Sequence, residues 1–231
     1  MSVTGKYGGP LPKGPWAERL HEIFDRLLAA FGPQHWWPGE TPFEVCVGAI
    51  LTQNTNWANV SRAIKNLKEA GLLNPEALFS IPRHVLAEII RPAGYYNVKS
   101  ERILTFVAFL MQEFSGDLDA AFSLGLWDLR SRLLSLKGIG PETADSILLY
   151  AGGYPIFVVD AYTARILERH GLVGDDVSYD SIQSLFMDNL PSDPALFNEF
   201  HALLVALGKG HCRKGRPRCE TCPLAGIHLN P

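Results

Sequence analysis

Apolar residues recur at helical spacing along most of the chain. Trp16, Leu20, Ile23, Phe24, Leu27, Leu28 and Phe31 predict an amphipathic helix that Gly32-Pro33 stops. Thr41-Pro-Phe-Glu44 reads as a capping box with proline at the first helical position. It opens an apolar helix carrying Cys46, Val47, Ile50 and Leu51, which runs into the polar break Gln53-Asn-Thr-Asn-Trp57. A further amphipathic helix extends to about Ala70, and prolines near 75, 82 and 92 punctuate short helices. The pattern then predicts a long helix over 97–114, a shorter one over 126–134, and helices near 161–169, 179–189 and 194–209. Residues 154–159 are apolar enough for a strand, but no partner strand is evident, so a buried extended connector is expected. The chain is therefore read as all-α, with a loose Gly- and Pro-rich arm over residues 1–15 and no internal repeat.

Composition narrows the class without naming a partner. At 231 residues, 47% hydrophobic and 19% charged, the chain is long enough for one core or two small interlocked ones. No apolar run reaches the roughly eighteen residues of a membrane span, and Met1–Gly14 lacks the apolar centre of a signal peptide. A cytoplasmic monomer is expected, nucleoid-associated if bacterial, with no membrane partner. The net charge of −3 is not the footprint of a nucleic-acid binder. A local patch changes that picture: Lys209, Arg213, Lys214, Arg216 and Arg218 fall within ten residues.

The chemistry concentrates in Leu136-Lys-Gly-Ile-Gly-Pro-Glu142 and in Val158-Val-Asp-Ala-Tyr162. Gly138 and Gly140 read as positions in a tight hairpin where a Cβ would clash; Pro141 and Glu142 suit the first turn of a following helix. Exposed amides in such a hairpin form a site for phosphate. Asp160 stands before a new helix, where a carboxylate is either an N-cap or a functional group.

Leu-x-Gly-Ile-Gly-x-x-Thr-Ala, followed about twenty residues later by Val-Asp-x-x-x-x-Arg, resembles the helix-hairpin-helix signature of the endonuclease III superfamily of DNA glycosylases. The likeness extends from about Trp36 to Cys222. It implies a six-helix barrel over 38–152 and a second lobe from 1–37 and 153–231, with damaged double-stranded DNA held in the cleft between them. It also implies that Asp160 stabilises an oxocarbenium-like transition state and directs water at the sugar. Bifunctional members carry a lysine nucleophile two residues after the second hairpin glycine. Glu142 stands there, which implies a monofunctional enzyme with weak or no lyase activity. Glu142 is either a helix-start residue or a carboxylate that faces the pocket and favours a cationic base. Lys137, Gly138 and Gly140 are expected to contact the DNA backbone.

The loop Trp36-Trp37-Pro38 and the segment Leu51-Thr-Gln-Asn-Thr55 are similar to the Mag III branch of 3-methyladenine glycosylases, as is Arg91-Pro-Ala-Gly-Tyr-Tyr-Asn-x-Lys99. By that resemblance Trp36 and Trp57 sandwich a flipped base, with Trp37 and Pro38 completing the wall. A cationic alkylated purine gains cation–π attraction there and leaves without a general acid. Gln53 matches the position that fills the gap left by the extruded base.

Cys212-x6-Cys219-x2-Cys222 is too clustered for chance and favours a metal over disulfides. The family pattern holds a [4Fe–4S] cluster through a fourth cysteine five residues on, where this chain has His228; Cys3His also suits zinc. Such a site would pin the loop whose cations Arg213, Lys214, Arg216 and Arg218 then face phosphates. Cys46 reads as a buried thiol. The expected function is thus a monofunctional DNA N-glycosylase of base excision repair acting on an alkylated purine such as 3-methyladenine. The alternatives are another lesion (uracil, mismatched thymine, an oxidised pyrimidine) or a non-catalytic helix-hairpin-helix module.

Overall fold

The computed structural model describes residues 14–227. The chain divides into two compact units, Pro38–Tyr154 (the barrel lobe) and Met1–Trp37 with Pro155–Pro231 (the terminal lobe). Every regular element among the described residues is helical, and no strand occurs.

The barrel lobe is built around α2 (Pro42–Thr52), because its residues from Phe43 to Leu51 are all buried. A helix apolar on every side can only sit inside a bundle. Thr41 caps it by accepting from the Glu44 amide at 3.1 Å. It packs against α3 (Trp57–Glu69), α6 (Tyr96–Phe114) and the wide turn Ile147–Ala151. The short helices α4 (Pro75–Ser80) and α5 (Arg83–Ile89) lie against α6, with the tight turn Arg91–Ala93 between α5 and α6. Buried Lys99 on α6 donates to the carbonyls of Leu51 and Ala93, 2.8 Å each, so one ammonium satisfies the carbonyls at two helix ends. Burial lowers its pKa to about 8.

Helices α7 (Leu118–Phe122) and α8 (Leu126–Ser135) lead to the hairpin, and α9 (Pro141–Ser146) leaves it. Arg130 on α8 grips the fully buried Asp145 on α9 with two hydrogen bonds, 2.7 and 3.1 Å. Removing one partner of such a pair costs about 3–5 kcal/mol. Gly153 and Tyr154 belong with the barrel, two residues beyond the expected boundary at 152. The reason is local: the Tyr154 amide donates to Leu148 O at 3.0 Å, and its hydroxyl donates to Phe122 O.

The terminal lobe contains α1 (Pro15–Phe31), α10 (Ala161–Arg169), α11 (Tyr179–Met187) and α12 (Pro194–Gly210). The expected connector is extended, with Ile156, Phe157, Val158 and Val159 all buried. Phe157 stacks on Phe186 at 3.8 Å and meets Phe197 and Phe200 edge-on. Helix α12 packs on α1 and α10. A Cβ at Gly208 would lie 2.3 Å from the Tyr162 ring, so the glycine sets how closely α10 and α12 approach.

Candidate active site and nucleic-acid interface

The hairpin Leu136–Gly140 is supported from beneath. Gly138 has φ +89°, and a Cβ there would meet Arg102 at 2.6 Å. Gly140 differs from the expectation: its backbone is extended (φ −95°), and a Cβ would enter open space. The hairpin thus requires one glycine, and the second leaves its backbone uncovered. Gln53 Nε2 donates to Gly138 O (3.1 Å) and Thr143 Oγ1 (2.8 Å), while Arg102 donates to Gln53 Oε1. Both ends of the Gln53 amide are therefore engaged within the protein, where sequence reasoning assigned it to a gap in DNA. Lys137 pairs with Glu101 at 3.0 Å, and this lysine holds the Glu101 carboxyl below the ordinary carboxylate range. Glu142 is exposed in the first turn of α9.

Asp160 is both cap and candidate catalyst. Its Oδ1 accepts from the Thr163 amide at 2.7 Å, which opens α10. Its Oδ2 lies 3.7 Å from Nε2 of His201, and only 12% of the Asp160 side chain is exposed. Burial pushes the His201 pKa down; the Asp160 charge opposes that shift and Lys209 adds to it. Sequence reasoning missed His201, because a histidine inside the apolar pattern of α12 reads as core. Trp36 and Trp37 meet edge-on at 5.2 Å in the terminal lobe, and Lys209 Nζ stands 5.7 Å from the centre of a Trp36 ring. Trp57 opens α3 in the barrel lobe, half-buried, and Pro38 is that lobe's exposed first residue. A second missed residue is Tyr95, 71% exposed in a left-handed conformation (φ 45°) just before α6. The Tyr-Tyr pair was visible, but nothing local indicated which ring faces outward.

The cysteine loop hangs from α10. Arg165 Nε donates to Cys212 O at 2.8 Å; Arg169 donates to Arg213 O (2.8 Å) and Lys214 O (3.0 Å) and approaches Cys212 Sγ at 3.4 Å. The Arg218 amide returns to His211 O at 2.9 Å, closing the loop. Cys212 is buried, Cys222 half-buried and Cys219 exposed. Burial, and then the charges of Cys212 and Cys219, raise the Cys222 thiol. Among the described residues no three His, Cys, Asp or Glu side chains form a group that holds a metal ion, and His228 lies outside the described residues. Arg213, Lys214, Arg216 and Arg218 are all exposed. Cys46 is fully buried, and burial raises its thiol far above the ordinary range.

The barrel lobe thus carries a glycine hairpin between two helices, and the terminal lobe carries an N-capping aspartate and a basic cysteine loop. The chain belongs to the HhH-GPD superfamily of base excision DNA repair proteins, whose profile matches residues 47–192. It is 45% identical over 214 residues to a putative DNA repair glycosylase of Methanocaldococcus jannaschii, covering 92% of this chain and 97% of that one. It is 26% identical to Bacillus subtilis endonuclease III over 80% of each chain. Among solved structures it resembles H. pylori 3-methyladenine DNA glycosylase (MagIII) bound to 1,N6-ethenoadenine. There the TM-score is 0.72 at 29% identity, covering 84% of this chain and 97% of that one. A trapped endonuclease III–DNA covalent intermediate matches with TM-score 0.78 at 25% identity, over 90% of this chain and 93% of that one. The protein is a DNA glycosylase of base excision repair. Among the described residues no helix is long and apolar enough to cross a membrane.

Proposed function

We propose that the enzyme is a monofunctional N-glycosylase that removes an alkylated purine, with 3-methyladenine as the leading substrate. The observation that carries monofunctionality is Glu142 in the exposed first turn after the hairpin, where the resemblance places the lysine of bifunctional members. A carboxylate forms no Schiff base. Asp160 would act through charge: Oδ1 is fixed by the Thr163 amide, leaving Oδ2 to stabilise the sugar cation and orient water. A neutral His201 beside it leaves that charge unquenched. The Trp36 ring, with the Lys209 ammonium 5.7 Å from its centre, supports the reading of an aromatic face open to a cation. The same lysine favours the second reading, a neutral lesion such as uracil, because an ammonium competes with a cationic base. Exposed Tyr95 would stack on DNA bases, a role for which an outward aromatic ring is suited.

The cysteine loop is read as a [4Fe–4S] site held by Cys212, Cys219, Cys222 and His228, with zinc as the alternative. Three thiols are a soft donor set, and Arg169 Nη1 holds Cys212 Sγ in place at 3.4 Å. When bound, the group would pin the basic loop and perform no step of base release. The test is borohydride treatment on lesion duplexes together with base-release assays. No covalent complex should form, and 3-methyladenine should leave faster than uracil. Efficient trapping would refute monofunctionality, and faster uracil release would refute the alkylation reading.

A further inference from the structure

We propose that Arg102, not Lys137, is the cation that the hairpin presents to a DNA phosphate, and that Gln53 is the brace holding it there. The inference rests on the reading of the hairpin as a DNA-backbone contact. The Arg102 side chain lies flat on the hairpin: a Cβ on Gly138 would meet its Nε at 2.6 Å, Cγ at 2.7 Å and Cδ at 2.9 Å. Its Nη1 is tied to Gln53 Oε1, and Gln53 is tied in turn to Gly138 O and Thr143 Oγ1. Three hydrogen bonds thus fix a guanidinium beside the hairpin backbone.

An arginine carries five N–H donors in a planar fork, and Gln53 takes one of them. Among the described residues no carboxylate forms an ion pair with Arg102. Arg102 feels Glu101 only through longer-range charge, whereas Lys137 is closely paired. Glu101 neutralises it at 3.0 Å, and Glu101 also lies 3.7 Å from Arg83. The Lys137 side chain is 87% exposed, so it wanders where Arg102 is held. A held fork gains more from a phosphate than a wandering, already paired ammonium. Gly138 acquires a second reason to be glycine: besides its positive φ, it clears the path along which Arg102 reaches the surface.

The experiment measures binding of the full-length protein to a duplex with a stable abasic-site analogue across a salt series. Arg102→Met should weaken binding roughly 10-fold and flatten the dependence of log K on log salt by about 0.9, the loss of one phosphate contact. Lys137→Met should change the slope little. Arg102→Lys should keep the slope at intermediate affinity, and Arg102→Gln, which retains a donor for Gln53, should lose slope as Met does. Weaker binding of the Met and Gln variants with an unchanged slope would overturn the proposal and leave Arg102 a scaffold residue. A larger slope loss in Lys137→Met would overturn it in favour of the lysine. Failure of the unsubstituted protein to bind any duplex would instead refute the DNA-contact reading, and the proposal with it.

Discussion

The hairpin and the Asp160 corner solve opposite problems. At the hairpin the working groups are backbone amides and long cations at the surface, held by hydrogen bonds from Gln53 and by the buried Arg130–Asp145 pair beneath. At Asp160 one carboxylate is kept mostly out of water, fixed at one oxygen by a helix amide and set beside a buried imidazole at the other. The first arrangement suits attraction to a uniform charged strand. The second suits a charge whose effect must be felt only where a sugar cation develops. In the proposed reading, binding and chemistry fall to groups of different burial, and substitutions should separate them.

The largest separation should come from Asp160→Asn. Asparagine still caps a helix, so α10 survives while the charge is lost. Base release should fall on the order of 10²-fold or more, with abasic-duplex affinity nearly unchanged. Comparable losses of both quantities would show that the corner also binds. Next comes the proposed stacking face at Trp36. Trp36→Ala should reduce release from methylated DNA about 5- to 150-fold, as loss of a stacking face worth roughly 1–3 kcal/mol. Lys209→Ala should shift preference toward cationic bases, measured as 3-methyladenine against uracil release by one preparation.

A smaller effect concerns pH. Burial places the His201 pKa below its ordinary value, so the imidazole is neutral at neutral pH. As pH falls through the ordinary histidine range, the unfolded chain takes up a proton that burial denies the folded imidazole, so stability declines, and protonation of His201 at lower pH would offset the Asp160 charge and lower activity. His201→Gln should raise the ratio of rates at about pH 5.5 and pH 7.5, roughly towards a flat profile. An unchanged ratio would leave His201 a packing residue. The smallest contrast lies in the hairpin itself. Gly138→Ala should cost more than about 1 kcal/mol of stability, whereas Gly140→Ala should stay within about 0.5 kcal/mol in thermal unfolding.

How much of this was legible follows from the range of each interaction. Helices, caps and the extended connector depend on neighbours a few residues apart, and Thr41 and Asp160 cap the helices that their side chains announce. The hairpin was visible for the same reason, although the sequence treated its two glycines alike. The supports were not visible. Arg102 looks like an ordinary polar position on α6, His201 like core, and Gln53 like a residue aimed at DNA, because their partners come from distant segments. The triple-cysteine spacing raises the expectation of a soft-metal site, yet nothing in it reveals that Arg165 and Arg169 hold the loop to the helix Asp160 caps.

Lys99 carries a consequence of another kind. Its ammonium is sealed between the Leu51 and Ala93 carbonyls, so an amine-acylating reagent that decorates surface lysines should find this one inaccessible. Labelling at Lys99 would then count openings of the barrel lobe one molecule at a time. The amine that staples two helix ends is therefore also a native clock for the lobe's unfolding, readable by mass spectrometry without any introduced probe.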